Sequence, residues 1–193
     1  MSDRGGGTNP RLMEVVRLQG RRVLLRGWEP RDAAPFAALN ADPIVMEHFP
    51  APLTRVESDA TITRLQTSLE QRGWGGWCLD IDGECAGFVG LAVPTFEAPF
   101  TPCVEVGWRL AAHAWGKGYA TEAARLALDH GFRSVGLAEI VSFTTTANWR
   151  SRRVMERLGM RRDVDGDFDH PRIASGHPMR PHVLYRLGAS EFR

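Results

Sequence analysis

The densest run of chemistry-bearing positions in this 193-residue chain lies at 105–123. Glu105-Val106-Gly107-Trp108-Arg109-Leu110 reads as a strand. It leads through Ala111-Ala112-His113-Ala114-Trp115-Gly116-Lys117-Gly118 into Tyr119-Ala120-Thr121-Glu122-Ala123. Gly116 and Gly118 let the backbone turn tightly and approach a ligand with no Cβ in the way. A helix that opens there aims unpaired N–H groups and the positive end of its dipole at whatever precedes it, which favours an anion. A small-residue stripe, Ala120, Ala123, Ala124 and Ala127, fits that helix to close packing on a sheet. No Gly-Lys-Ser/Thr is present, which argues against a nucleoside-triphosphate loop. The spacing suits a phosphate cradle and also a plain glycine-rich connection.

A second concentration lies near the end of the chain: Asp167, Asp169, His170, His177, Arg180 and His182. These residues are not at zinc-ligand spacing and include no cysteine, so no metal is expected. Asp169, His170 and His182 are candidates for contact with a substrate, against the plainer reading of a solvated polar loop over 163–181. Cys78 and Cys85 flank the turn Asp82-Gly83. A two-residue hairpin there sets Ile81 opposite Glu84, Asp80 opposite Cys85 and Cys78 opposite Gly87, an awkward geometry for a disulfide. Reduced thiols in a cytoplasmic protein follow.

The elements that must position these residues can be read from the pattern. Strand 22–26 is followed by a helix from Pro30 that ends before Pro43. A second helix runs Thr54–Leu69, with Val56, Ile62, Leu65 and Leu69 at helical spacing. The hairpin strands are Trp77–Ile81 and Cys85–Leu91, and further strands are Val104–Leu110, Glu139–Thr145 and His182–Leu187. Helices span about 118–132 and Asn148–Leu158, the latter closed by Gly159. Three consecutive strands in the middle argue against a doubly wound dinucleotide fold. The expectation is an α/β (α+β) fold, a mixed and largely antiparallel sheet with helices on both faces. Residues 1–20 read as a flexible leader without the apolar run of a secretory signal, and 21–193 as one domain. The net charge of +1 gives no global footprint for nucleic acid or an anionic membrane, and no apolar stretch is long enough to span a bilayer.

Two motifs carry a resemblance. Trp115-Gly116-Lys117-Gly118-Tyr119-Ala120-Thr121-Glu122-Ala123 resembles the acetyl-CoA loop of the GNAT N-acetyltransferases, with Trp115 where the common pattern has Gln or Arg. That departure is shared with the ribosomal-protein N-terminal (RimJ/RimL-like) acetyltransferases. Downstream, Asn148-Trp149-Arg150-Ser151 followed by Glu156-Arg157-Leu158-Gly159-Met160 is similar to the same subgroup's Asn-x-x-Ser helix.

The resemblance implies a GNAT-like fold with a splayed pair of central strands. It implies an enzyme that moves acetyl from acetyl-CoA, its co-substrate, to a primary amine by direct transfer in a ternary complex. The acceptor is a protein N-terminus or a small-molecule amine; nucleic acid and membrane are not expected as partners, and a homodimer stays open. Backbone groups of Trp108, Arg109 and Leu110 would pair with the pantetheine arm. The loop Trp115 to Ala120 would hold the pyrophosphate, with Thr121 adding a hydroxyl and Lys117 screening charge. Asn148 belongs to the cofactor set by the same resemblance, beside its reading as a helix N-cap. Where many relatives carry a proton-donating Tyr this chain has Met155, so Ser151 becomes the candidate acid. Glu105 is the candidate base; a regular strand puts it on one face with Gly107 and Arg109, and a bulge at Gly107 would reverse that. The alternative is a non-catalytic acyl-CoA-binding or sensing module on the same fold.

Overall fold

The computed structural model describes residues 13–193. Eight strands form one sheet in the order β1-β2-β3-β4-β5-β6-β8-β7. They are β1 (Leu18–Gln19), β2 (Leu24–Arg26), β3 (Gly76–Ile81), β4 (Glu84–Ala92), β5 (Glu105–Leu110), β6 (Glu139–Thr145), β7 (Arg161–Asp169) and β8 (Pro181–Gly188). Every pairing is antiparallel except β5 with β6, which a crossover helix joins. Four helices complete the fold: α1 (Ala33–Ala41), α2 (Arg55–Arg72), α3 (Tyr119–Asp129) and α4 (Trp149–Arg157). The mixed, largely antiparallel sheet is the one expected.

Local sequence explains where the helices start and stop. Thr54 caps α2 by accepting from the Glu57 N–H, Glu57 reaches back to the Thr54 N–H, and Gly73 ends the helix with a left-handed backbone. Asn148 caps α4 by accepting from the Ser151 N–H. Helix α3 begins differently: its N-cap is Gly118, at φ 81°, and no side chain caps its first N–H groups. The α3 alanines Ala123, Ala124 and Ala127 are fully buried, so the helix lies close on β4 and β5.

Several expectations need correcting. Within the expected leader, 1–12 lies outside the described residues, but 13–20 is bound to the body. Leu18 and Gln19 pair with β2, the Val16 carbonyl accepts from the Trp77 indole at 2.9 Å, and Val15 and Leu18 pack on the core. The polar tract 163–181 is a strand over its first part. As an edge strand, β7 buries little on either face, so no apolar alternation marks it. Val56 is exposed although it fits the helical spacing of α2. Asp80 does face Cys85 and Ile81 faces Glu84, but a bulge then sets Leu79 opposite Gly87 and Cys78 opposite Phe88. All three cysteines are free thiols, Cys78 and Cys85 buried and Cys103 half-buried.

Beneath α1 lies a buried ionic knot that the sequence did not announce. The Arg26 guanidinium bonds both oxygens of Asp32, at 2.7 and 2.9 Å, and Asp80 at 2.8 Å. Burial pushes the Asp32 carboxyl up, but the hydrogen bonds from Arg26 and from the Glu29 N–H overcome it and hold it below its ordinary range. Cys78 and Cys85 lie beside Asp32, the described group with metal-ligand side chains in reach of one another. Both Asp32 oxygens are committed to Arg26. We expect Arg26→Met to strand these carboxylates and cost about 3–5 kcal/mol at neutral pH. Because Asp32 is held low, its share of stability is present above the unfolded carboxylate range and lost as pH falls through the folded value. Urea unfolding of both proteins from pH 7 to 2 should therefore show the difference shrinking once the pH falls below about 4.

Candidate active site

Strands β5 and β6 stay together for a single rung. Glu105 stands beside Val141, and the Val141 N–H donates to the Val104 carbonyl at 2.9 Å. One residue further, the Ser142 hydroxyl donates to the Val106 carbonyl at 2.9 Å, a side chain standing in for the next backbone rung. Beyond that the strands diverge. The pairing of β5 with β4 is regular from Ala92–Glu105 to Gly87–Leu110, so no bulge interrupts it at Gly107. Backbone groups of Val106, Trp108 and Leu110 therefore point toward β6 and those of Gly107 and Arg109 toward β4. The Leu110 carbonyl accepts from the Trp115 indole at 2.8 Å, which ties the loop to the strand end.

This sorts the strand residues expected at the pantetheine. Trp108 and the Leu110 N–H face the parting. Arg109 does not: its carbonyl lies against Gly87, where any Cβ would come within 2.0 Å of it. Strand parity thus corrects the expectation for the Arg109 backbone, while its side chain enters the site by another route.

The parting opens into a cavity of about 1180 Å³. Among the residues singled out from sequence, Glu105, Trp108, Arg109, Leu110, Trp115, Gly116, Gly118, Tyr119, Ala120 and Thr121 line it. So do Asn148, Ser151, His170 and His182. Lys117 and Asp169 do not: Lys117 is exposed, and Asp169 turns outward to pair with Arg180 at 3.0 Å. His170 and His182, with ring centroids 5.0 Å apart, join Phe96, Phe143 and Phe168 in an aromatic cluster on the wall. Burial lowers the pKa of both imidazoles, against which Asp169 exerts a small opposite pull on His182. Both imidazoles are neutral at neutral pH, and each has its Nδ1 in a backbone contact, with the Arg172 N–H at His170 and the Arg180 carbonyl at His182.

At one end, Gly116 and Gly118 take left-handed φ of 74° and 81°, and the uncapped N–H groups of α3 open on the cavity. Sequence reasoning missed the residue that holds this turn in place. Arg22 bonds Glu122 at 2.8 Å and the Lys117 carbonyl at 2.9 Å, and its guanidinium lies 5.0 Å from the centre of the Tyr119 ring. Arg150, Arg153 and Arg157 of α4 add positive charge to the cavity wall, with Arg150 over the Trp115 ring at 4.9 Å. Asn148 accepts from the Ser151 N–H at 3.1 Å and donates to Thr144 Oγ1 at 2.9 Å, which leaves one of its amide N–H groups uncommitted at the cavity wall.

At the closed end of the parting, burial pushes the Glu105 carboxyl up to about 7. Met155 is in the core. Among the described residues two buried side-chain polar atoms have no hydrogen-bond partner, Arg109 Nε and Thr145 Oγ1, and both belong to cavity-lining residues. Orphaned polar atoms, an uncapped helix and unpaired strand groups in one elongated cavity fit a long, polar ligand with an anionic end.

Comparison with known proteins places this arrangement. Residues 22–161 match the acetyltransferase (GNAT) domain. The chain belongs to that family; it is an acetyltransferase domain of the class that uses acetyl-CoA as co-substrate and amines as acceptors. It is 38% identical over 129 residues to the FsC-acetyl coenzyme A-N(2)-transacetylase of Aspergillus fumigatus. That match covers 63% of this chain and 55% of the relative, so the chain spans little more than half of that relative's length. The GNAT-family acetyltransferase structure from Bacillus anthracis superposes with a TM-score of 0.76 at 24% identity, over 91% of this chain and all (100%) of that one. Mycobacterium smegmatis RimJ in complex with CoA-disulfide gives 0.72 at 22% identity, over 92% and 89% of the two chains. These two likenesses are of fold. No helix among the described residues is long and apolar enough to cross a membrane.

The turn at Gly118 yields a direct test. A Cβ there has room, its nearest neighbour being Arg22 Nη2 at 3.4 Å, so the obstacle is the left-handed backbone. Gly118→Val must distort the start of α3, at a local cost of about 1–2 kcal/mol. Calorimetry with acetyl-CoA should show at least a tenfold loss of affinity, roughly 1.4 kcal/mol. Unchanged affinity would remove this turn from the binding site.

Proposed function

We propose that the chain transfers the acetyl group of acetyl-CoA to a primary amine, directly, within a ternary complex. The observation that carries this reading is the parting of β5 and β6 inside the cavity, with unpaired Trp108 backbone groups along it and a half-buried Glu105, its carboxyl pushed up to about 7, at its closed end. The name of the Aspergillus relative, which specifies acetyl coenzyme A and a nitrogen, supports a nitrogen acceptor.

Bound acetyl-CoA supplies an acyl group activated as a thioester. The chain's own groups would divide the remaining work. The first N–H groups of α3, with the Thr121 hydroxyl, hold the pyrophosphate. The Trp108 N–H is a fixed donor for a carbonyl oxygen, so it needs no reorganisation as negative charge develops there. Glu105, with a pKa near 7, takes the amine's proton directly or through a water. An N-terminal α-amine has a pKa of about 8, a small gap for such a base to close. Ser151 gives a proton to the departing sulfur. Direct transfer is favoured over an acyl-enzyme because no cysteine is among the described residues lining the cavity.

Met155 in place of a proton-donating side chain favours the second reading, acyl-CoA binding without turnover; release of free thiol on adding an amine separates the two. For turnover, Glu105 works deprotonated, so kcat/KM falls as pH drops through about 7. Glu105→Gln should lower kcat/KM by about 10²- to 10⁴-fold and abolish that limb of the profile. Ser151→Ala should lower turnover and leave the limb in place. A wild-type limb that survives in Glu105→Gln would assign it to the amine instead.

A further inference from the structure

We propose that Arg109 is an anion clamp in the acceptor half of the cavity, and that the acceptor is a primary amine that also carries a carboxylate. The inference rests on the acetyl-transfer reading only for the word acceptor; the clamp itself follows from the surroundings of one side chain.

Regular pairing of β5 puts Glu105, Gly107 and Arg109 on one face. Arg109 meets α1 there, whereas the parity of Trp108 turns it to the other face. Its Nη1 donates to Asn40 Oδ1 at 2.7 Å. Asn40, completely buried in α1, donates in turn to the buried Ser58 hydroxyl of α2 at 2.9 Å. The guanidinium carbon lies 4.1 Å from the centre of the Phe49 ring and 5.8 Å from that of Phe88. The fork is therefore fixed in position and wrapped in low-dielectric surroundings.

What it lacks is a counter-ion. Nε is buried with no hydrogen-bond partner, and no carboxylate among the described residues forms an ion pair with Arg109. The contrast within the same molecule is Arg26, fully buried, whose charge meets Asp32 and Asp80. The acid on the wall near Phe49, Glu47, is engaged by Arg150 and His48. The other charge that Arg109 feels is the cavity-lining Arg64, of like sign. Burial, with Arg64 adding, pushes the Arg109 pKa down only to about 10, so the guanidinium stays charged at neutral pH. A half-buried, hydrogen-bonded cation with an enclosed, unpartnered Nε and no protein anion is disfavoured unless a ligand supplies the counter-charge.

The chemistry of that ligand follows from the geometry. With Nη1 committed to Asn40 and Nε enclosed, Nη2 is the donor left to meet an anion, and a planar carboxylate suits a guanidinium held in this way. Between this edge and Glu105 stands Gly107, where a Cβ would meet nothing within 4 Å. The strand thus offers a trough: a base at one end, an open floor, and a guanidinium at the other. Glu105 and Arg109 are four residues apart, roughly 13 Å along a strand, and this bounds the acceptor's span. The phosphates of acetyl-CoA have their own anion site at the start of α3, so the anion for Arg109 belongs to the other substrate.

The test uses the full chain saturated with CoA, so that binding is read without turnover. Calorimetry is run with glycine, β-alanine, γ-aminobutyrate and phenylalanine, each against its own carboxamide. The proposal expects at least one carboxylate to bind tenfold or more tightly than its amide. Arg109→Gln should erase that preference while CoA affinity stays within twofold, and Arg109→Lys, which keeps the charge but not the fork, should retain part of it. Should Arg109→Gln fail to fold, Asn40→Asp, which sets a carboxylate against Nη1, gives the same information: the preference for carboxylate over amide is lost and CoA binding kept. Equal binding of carboxylate and amide, no binding of any carboxylate, or a preference untouched by the Arg109 variants would overturn the clamp. Free-thiol release from acetyl-CoA with the same panel is read separately. Carboxylates that bind through Arg109 but release no thiol would leave the clamp standing and refute the transferase reading.

Discussion

The divergence of β5 from β6 after a single rung is the constraint on which the rest of the site depends. A continuous sheet at this point would satisfy Trp108 and Leu110 through β6 and leave no edge for a ligand. The Ser142 hydroxyl on the Val106 carbonyl marks where backbone pairing stops, and the Trp115 indole on the Leu110 carbonyl holds the far end of β5. Between these two side-chain bonds lies a short length of strand whose backbone groups have no protein partner on that side. Buried strand groups rarely stay unpaired, so such an edge is a receptor for an extended chain.

Charge is arranged around that opening in a way the balanced total conceals. The uncapped start of α3 and the arginines of α4 make one end attractive to phosphate. Glu105 sits at the closed end of the parting with its ionisation poised near neutrality by burial. Arg109 and Arg64 add further positive charge to the wall. A net charge of +1 over 193 residues is the sum of these local opposites and of many exposed pairs, each worth little in water.

The phosphate end was legible in sequence because its function is built from backbone: glycines at a tight turn and a helix start leave a signature in consecutive residues. The order of most elements along the chain and the hairpin were legible for the same reason, through the Asp82-Gly83 turn and the β-rich runs. The side-chain part of the site was less so. Parity already placed Arg109 on the Glu105 face, yet the resemblance pointed to its backbone, and only the register with β4 separates the two. Asn40, Ser58 and Thr145 are polar residues with no motif; their importance comes from burial, which depends on α1, α2 and β6 meeting in space. Arg22 acts across a hundred positions of sequence on Glu122, a distance no local pattern can span. Edge strand β7 was hidden because an edge has no buried face to impose alternation.

The central claim, that the unpaired edge of β5 receives the pantetheine arm, is tested most directly by hydrogen exchange at single backbone amides. In the free protein the Trp108 and Leu110 N–H groups should exchange readily, while Gly107 and Arg109, turned to β4, should be slow. Saturating acetyl-CoA should slow Leu110, which meets the pantetheine arm, and Trp108, which meets the thioester carbonyl, at least tenfold and leave their neighbours unchanged, a protection of roughly 1.4 kcal/mol. Exchange at Trp108 that is already slow without ligand, or that acetyl-CoA leaves unchanged while calorimetry shows it bound, would contradict the account.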